Sequence, residues 1–509
     1  PREDPMSFPY ESVGFWLSRR AALTPRRVAI KTGDRDITYA ELDDRAARLA
    51  GVLTATGVGP GDRVAALLTN GNEYVEAMFA CARLGAILTP LSFRLAAPEL
   101  VFMANDSGST VLIYGEEWTA LAESFRRQTG LKAAFVVGSG PDPSYEEALA
   151  AAEPVLEPRA VSSDDVLAIF YTSGTTGRPK GAMLTHGNFF WTNLCMILAF
   201  GFYQEERTLV ILPMFHCGGW NANAMATWWN GGTVVLQRSF DPGETLRTIE
   251  RERITSMLGV PTMYQMMADD PGFADTDLSS IRDFLCGGAP LPVALIARYQ
   301  ERGVGFIQGY GLTEAAPNCL ILPKEDSVRK AGAAGRPYFY ADVRVVDDAG
   351  DGVGPGGSGE IVVGGPGVMK GYWNRPEATA ETLRGGWLHT GDVGAIDDEG
   401  YITIVDRVKD MYISGGENVY PAEIEKVLAG HPAVGEAAVI GVPDDRWGEA
   451  GRAIVVLRPG GTAGPEEIRR FCAERLAKFK VPATVVFTDV LPRNPTGKLL
   501  KAEIRDRFA

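Results

Sequence analysis

The sequence predicts an α/β protein built of layered subdomains, with a small β subdomain and then a smaller α+β domain towards the carboxy-terminal end. Three textures carry this reading. Apolar runs of strand length alternate with amphipathic stretches of helical period over roughly the first two thirds of the chain. From about 335 to 406 short β-prone runs alternate with glycine-rich turns, and after 406 helical and strand-like stretches mix over about a hundred residues, the size of a separate domain. A chain of 509 residues suits two to four domains.

The elements come in order. Thr38 and Glu41 have capping-box spacing, and Leu42, Ala46, Leu49 and Leu53 share one helical face that stops at Gly57. Residues 64–68 read as a buried strand, 73–84 as a helix ended by Gly85, and 86–88 as a strand before Pro90. This βαβ alternation returns with strands at 110–114, 167–171, 208–212 and 233–237 and a helix at 242–253. Strands at 343–346, 360–363 and 401–404 mark the β subdomain. In the last part, helices at 421–428 and 465–476 accompany strands at 437–442, 453–457 and 484–487.

Composition removes several function classes. Apolar residues are 45% and charged residues 22%, and the 59 glycines and 32 prolines have no repeating period, which excludes collagen, mucin and extended disorder. A net charge of −14 opposes nucleic acid and anionic membrane surfaces at long range. No apolar stretch approaches bilayer length and the first residues lack a secretory layout, so a soluble cytoplasmic protein is expected. Six cysteines without a C-x-x-C pair read as reduced core thiols, and four histidines without ligand spacing give no transition-metal site.

The segment Tyr171-Thr172-Ser173-Gly174-Thr175-Thr176-Gly177-Arg178-Pro179-Lys180-Gly181 comes after an expected strand and precedes an apolar, helix-like stretch. Its glycines let backbone N–H groups close on an anion, its hydroxyls add donors and Lys180 adds positive charge, all of which suit phosphate. The spacing fails the Walker pattern, so a P-loop kinase or GTPase is disfavoured, while a polar surface turn stays open on composition alone.

The full string closely resembles the phosphate-loop signature of the adenylate-forming superfamily: acyl-CoA synthetases, adenylation domains of peptide synthetases and firefly luciferase. It is joined in register by Gln308-Gly309-Tyr310-Gly311-Leu312-Thr313-Glu314, by Thr390-Gly391-Asp392, by Asp406-Arg407 through Pro421, and by Pro492 to Lys498. The resemblance spans nearly the whole chain. It implies a large amino-terminal domain over 1–406 with its β subdomain at about 335–406, a hinge over 407–412, and a mobile carboxy-terminal lid over 413–509. It also implies ATP, Mg²⁺ and coenzyme A as cofactors.

Residue by residue, the resemblance places adenine on Tyr310, with Gly287, Gly288, Ala289 and Pro290 along the base edge, and lets backbone approach the ligand at Gly309 and Gly311. Thr172, Ser173, Gly174, Thr175, Thr176, Gly177 and Lys180 would hold phosphates. Thr313 would donate a hydroxyl to phosphate, and Glu314 with Thr175 would hold Mg²⁺. Asp392 and Arg407 would take the ribose. Lys498 would stabilise the adenylation transition state, because carboxylate attack on the α-phosphate brings two anions together. Lys409 would be the pivot that exchanges the Lys498 loop for Ser414, Gly415 and Gly416, beside which pantetheine would run. A thiol with a reference pKa of about 8.5 needs no cysteine partner to attack an acyl-adenylate.

His216 matches a family position that lines the acid and thiol paths, where it would gate and orient. The acid pocket would lie among Gly218, Trp220, Asn221, Met225, Gly287, Gly288, Gly311 and Ala316. These are largely apolar and offer no buried cation, which disfavours malonate and amino acids. Gly218 stands where hydroxycinnamate-CoA ligases usually carry a bulky aromatic residue, which favours a medium- or long-chain or bulky hydrophobic acid over a flat phenolic one. An AMP-forming acyl-CoA synthetase is therefore expected, with an aromatic-acid CoA ligase, an enzyme that loads a carrier protein, or a non-catalytic nucleotide-binding scaffold as alternatives. Monomer and homodimer both stay open.

Overall fold

Thr38 starts its helix as the spacing predicts. Its hydroxyl accepts from Glu41 N, Glu41 Oε2 accepts from Thr38 N, and the helix Tyr39–Ala55 buries Leu42, Ala46, Leu49 and Leu53, a cap worth about 1 kcal/mol. The next helix, Asn72–Leu84, is buried on nearly all sides because it lies inside the layers, its Glu76 paired with Arg45. Gly85 closes it in the left-handed region at φ 69°, where a side chain would be strained.

The computed structural model describes residues 11–172, 179–407, 410–414, 417–444, 447–476, 478–493 and 499–509. The chain divides into two compact units, one of residues 1–343 with 363–388 and one of residues 344–362 with 389–509.

The first unit holds two sheets. One runs in the order Gly371–Tyr372, Lys180–Thr185, Val166–Thr172, Ile87–Pro90, Arg63–Leu67, Val111–Gly115, Ala133–Val137, parallel from Val166–Thr172 onward. The other runs Arg336–Pro337, Leu320–Leu322, Phe306–Tyr310, Asp283–Gly287, Ser256–Gly259, Arg207–Val210, Thr233–Leu236, Val28–Thr32, Arg35–Thr38. Its inner strands are parallel, and antiparallel strands close both edges. Parallel strands covered on both faces read as continuous apolar runs, which is why the sequence located them.

One expectation is corrected here. The glycine-rich segment does not lead straight into a helix, because Lys180–Thr185 is a strand antiparallel to Val166–Thr172 and the helix His186–Phe200 begins only after it. Thr185 caps that helix through Asn188. The segment was misread because 180–185 is too short for its apolar period to separate strand from helix.

The second unit carries antiparallel strands Asp342–Val346, Ser358–Gly364, Trp387–Ile396 and Ile402–Arg407, with residues at their ends falling in the first unit. It also carries a sheet in which the long hairpin Val434–Asp444 with Gly448–Leu457 is flanked by Tyr412–Ser414, Glu417–Val419 and Thr484–Phe487. Helices Pro421–Ala429 and Pro465–Ala473 bury Ile424, Leu428, Ile468 and Cys472 against Val439, Ala453 and Val455. Asp406 Oδ2 accepts from Ala422 N at 2.8 Å, a carboxylate at the helix start where the dipole favours it. The six cysteines are buried thiols, and no described helix is long and apolar enough to cross a membrane.

Candidate active site

In open parallel sheets ligands gather beyond the carboxyl ends of strands, and the expected adenine residues lie there. Strands Asp283–Gly287 and Phe306–Tyr310 are parallel neighbours with Gly287 opposite Gly309, so Gly287 to Pro290 and Tyr310 leave the sheet side by side. Gly288 has φ 81°, which only glycine adopts without strain. Gln308, which opens the motif in the sequence but received no role there, clasps the two segments: its Oε1 accepts from Leu291 N at 3.0 Å.

Beyond Tyr310 the chain turns through a single 3₁₀ turn, Thr313–Ala315. The approach to this turn packs so tightly against the stretch around Pro317 that a β-carbon on Gly311 would lie 1.2 Å from the Pro317 carbonyl oxygen. This packing directs Glu314 towards the strands that flank the glycine-rich segment. Its Oε1 is 3.2 Å from the Thr172 hydroxyl and accepts from the Tyr372 hydroxyl at 2.9 Å. Lys180 Nζ stands 5.1 Å from the centre of the Tyr372 ring. Thr172, Lys180 and Glu314 are thus brought together from three stretches of chain. With two hydroxyls at one oxygen, the other oxygen of this hard, oxygen-only donor fits a cation such as Mg²⁺.

His216 lies in the segment that joins strand Arg207–Val210 to the short helix Gly218–Asn221. Asn70, another residue the sequence did not flag, fixes this segment: it donates to Leu212 O and Gln237 O and accepts from Met214 N. Burial, aided by the positive field of Arg94, pushes His216 down to about 4, so the imidazole is neutral at working pH. Burial also pushes the Cys217 thiol far above its usual range, so it is no nucleophile. Trp220, Asn221 and Met225 are fully buried. Trp220 Nε1 donates to Met214 O, and Asn221 Oδ1 accepts from Asn193 while its carbonyl accepts from Asn318. A β-carbon on Gly218 would meet nothing within 4 Å, and Ala316 is buried behind the 3₁₀ turn.

In the second unit Asp392 and Arg407 are register partners on antiparallel strands, so the two expected ribose ligands share one place. The preceding turn is held by Glu360, which accepts from Gly391 N at 3.0 Å and lies 2.7 Å from His389 Nδ1. Ser414 is buried on strand Tyr412–Ser414. Ser173, Gly174, Thr175, Thr176, Gly177, Lys409, Gly415, Gly416, Lys498 and the Arg407 side chain lie outside the described residues.

His186 shares the acid response of His216. It accepts from Val13 N through Nδ1, is fully buried, and is pushed down to about 4 by that burial. The unfolded chain binds a proton at each of these two sites that the folded chain refuses. Their stability is full above the unfolded value of about 6.5 and is lost as pH falls towards 4, on the order of 2 kcal/mol each by pH 5. Denaturant titration of wild type and His186→Gln at pH 7.5 and pH 5 is expected to show the variant losing about 2 kcal/mol less on acidification. Equal losses would contradict the assignment.

Comparison with known proteins agrees with this geometry. The AMP-binding enzyme family matches residues 17–373, and the AMP-binding enzyme C-terminal domain matches 423–498. A feruloyl-CoA synthase from an Amycolatopsis species is 49% identical over 98% of this chain and 99% of its own. The long-chain-fatty-acid–CoA ligase FadD13 of Mycobacterium tuberculosis is 41% identical over 98% and 99%. The o-succinylbenzoate CoA synthetase of Bacillus subtilis, solved with its acyl-adenylate intermediate, superposes with a TM-score of 0.87 at 37% identity over 96% of this chain and 98% of that one. The chain belongs to the AMP-binding enzyme family, within the adenylate-forming superfamily. It is an ATP-dependent, AMP-forming carboxylic acid–CoA ligase that uses Mg²⁺.

Proposed function

We propose that the acid is a hydrophobic monocarboxylate with a medium or long chain or a bulky body, and that it is activated and discharged in one pocket. The observation that carries this is the open space beside Gly218, next to a neutral His216. A neutral imidazole beside that space accepts apolar surface and itself offers a second carboxylate no counter-charge. An aromatic acid is the second reading, favoured by the feruloyl-CoA synthase at 49% identity.

In the first half-reaction a carboxylate oxygen bonds to the α-phosphorus of ATP and pyrophosphate leaves. Tyr310 and Gly287 to Pro290 hold the base, Asp392 and Arg407 the ribose, and Thr172 to Gly177, Lys180 and Thr313 the phosphates. Glu314 with Thr175 would hold Mg²⁺, which when bound neutralises phosphate charge. Lys498 stabilises the charge that builds up as the two anions meet. In the second, the coenzyme A sulfur attacks the acyl carbon and AMP leaves, the thiol proton passing to solvent. Lys409, within the hinge over 407–412, turns the lid 413–509 so that Ser414, Gly415 and Gly416 replace the Lys498 loop.

Acid-dependent ATP–pyrophosphate exchange over fatty, aromatic and polycyclic acids, followed by added coenzyme A, tests this reading. Exchange is expected with bulky or long acids and not with malonate. Gly218→Phe, which fills the open space, is expected to raise KM for a preferred bulky acid about 10- to 100-fold and to leave a short-chain acid within about twofold. A malonate-specific enzyme, or a Phe variant with unchanged preference, would contradict the assignment.

A further inference from the structure

Tyr372 has no assigned part in the reaction, yet it touches both charged groups at the phosphate end of the site. It lies on the two-residue strand Gly371–Tyr372, opposite Ala182 of the strand that Lys180 begins. Its backbone N donates to Thr379 Oγ1 at 2.9 Å, and the residue is 8% exposed, so the ring has little freedom. The hydroxyl donates to Glu314 Oε1 at 2.9 Å, beside the Thr172 hydroxyl at 3.2 Å. Glu314 Oε2 accepts no hydrogen bond among the described residues. Lys180 Nζ lies 5.1 Å from the ring centre, and Lys180 and Glu314 form no ion pair with each other.

Were Lys180 and Glu314 to pair with each other, they would cancel charges that a nucleotide needs. A phenol between them satisfies both without that loss: its O–H donates to the carboxylate and its ring face attracts the ammonium.

We infer that Tyr372 is a positioning residue of the adenylation site: with Thr172 it holds Glu314 Oε1 so that Oε2 is presented to a divalent cation, and it keeps Lys180 available to phosphate. This rests on the reading of Glu314 as the cation ligand. The Gly371-Tyr372 pair gives no periodic signal in the sequence, and Glu314 is 58 residues away.

Calorimetric titration of a non-hydrolysable ATP analogue, with and without Mg²⁺, separates the possibilities. Tyr372→Phe keeps the ring over Lys180 and removes the hydroxyl. It is expected to lose about tenfold of the affinity gained on adding Mg²⁺, as for a hydrogen bond to a charged group, and to hold metal-free affinity within about twofold. Thr172→Val is expected to shift the Mg²⁺-dependent gain in the same direction by less, and Glu314→Gln to remove it. A Tyr372→Phe enzyme with the full wild-type gain, or one in which metal-free and metal-bound affinities fall by the same factor, would overturn the inference while Glu314→Gln still upheld the role of Glu314. A Glu314→Gln enzyme that keeps the gain would overturn both.

Discussion

Replacing Lys498 with alanine is expected to lower acid-dependent ATP–pyrophosphate exchange by about 100- to 1,000-fold, while thioester formation from supplied acyl-adenylate and coenzyme A stays within about threefold. The cost arises from the charge that develops as a carboxylate oxygen closes on the α-phosphorus. In the proposed role, a compact ammonium offsets that charge more strongly than solvent, which would screen it. The second half-reaction starts from a mixed anhydride whose negative charge is already in place, and a thiol approaches it, so the same lysine has little to stabilise there. Assays of the two half-reactions on one preparation check the division. Equal loss in both would mean that Lys498 supports the pocket as a whole.

Gly311→Ala is expected to be nearly as damaging for a different reason. The added carbon would lie 1.2 Å from the Pro317 carbonyl oxygen and 2.4 Å from its carbon, both backbone atoms with no rotamer to yield. Either the segment from Tyr310 to Thr313 or the stretch around Pro317 must move. Tyr310 and Thr313 are on one side of that contact, and Glu314 is held at 2.9 Å by Tyr372. A displacement of about 1 Å in positioning residues costs on the order of a hundredfold in rate. Exchange is therefore expected to fall by at least about that factor, with a lower melting temperature. Wild-type exchange from the alanine enzyme would show that the tight turn has no part in placing the site.

The parts of the fold legible in the sequence were those governed by local rules. The capping pair Thr38 and Glu41, the stop at Gly85 and the buried parallel strands at 63–67 and 111–115 each announce themselves within a few residues. The expected site residues were named through their motifs, and the structure places two of them, Gly287 and Tyr310, on hydrogen-bonded neighbouring strands.

The residues that hold the site in shape were not legible. Asn70 clasps Met214 from 144 positions away, Tyr372 reaches Glu314 across 58, and Glu360 supports Gly391 across 31. None has a period, a cap or a turn signature, and each acquires its partner only through tertiary packing. The strand Lys180–Thr185 failed for a related reason: its pairing with Val166–Thr172, rather than its own composition, decides its conformation. The interior placement of Trp220, Asn221 and Met225 was likewise hidden, since a residue near a site reads the same in sequence whether it lines the pocket or backs it.

The central claim is that the carboxylate itself attacks the α-phosphorus and that coenzyme A then cleaves the acyl carbon–oxygen bond. Turnover of an acid whose carboxylate carries heavy oxygen tests this most directly, with the products separated and weighed by mass spectrometry. One labelled oxygen is predicted in the phosphate of AMP and none in pyrophosphate. Label in an inorganic phosphate released alongside ADP, or AMP without label, would contradict the account.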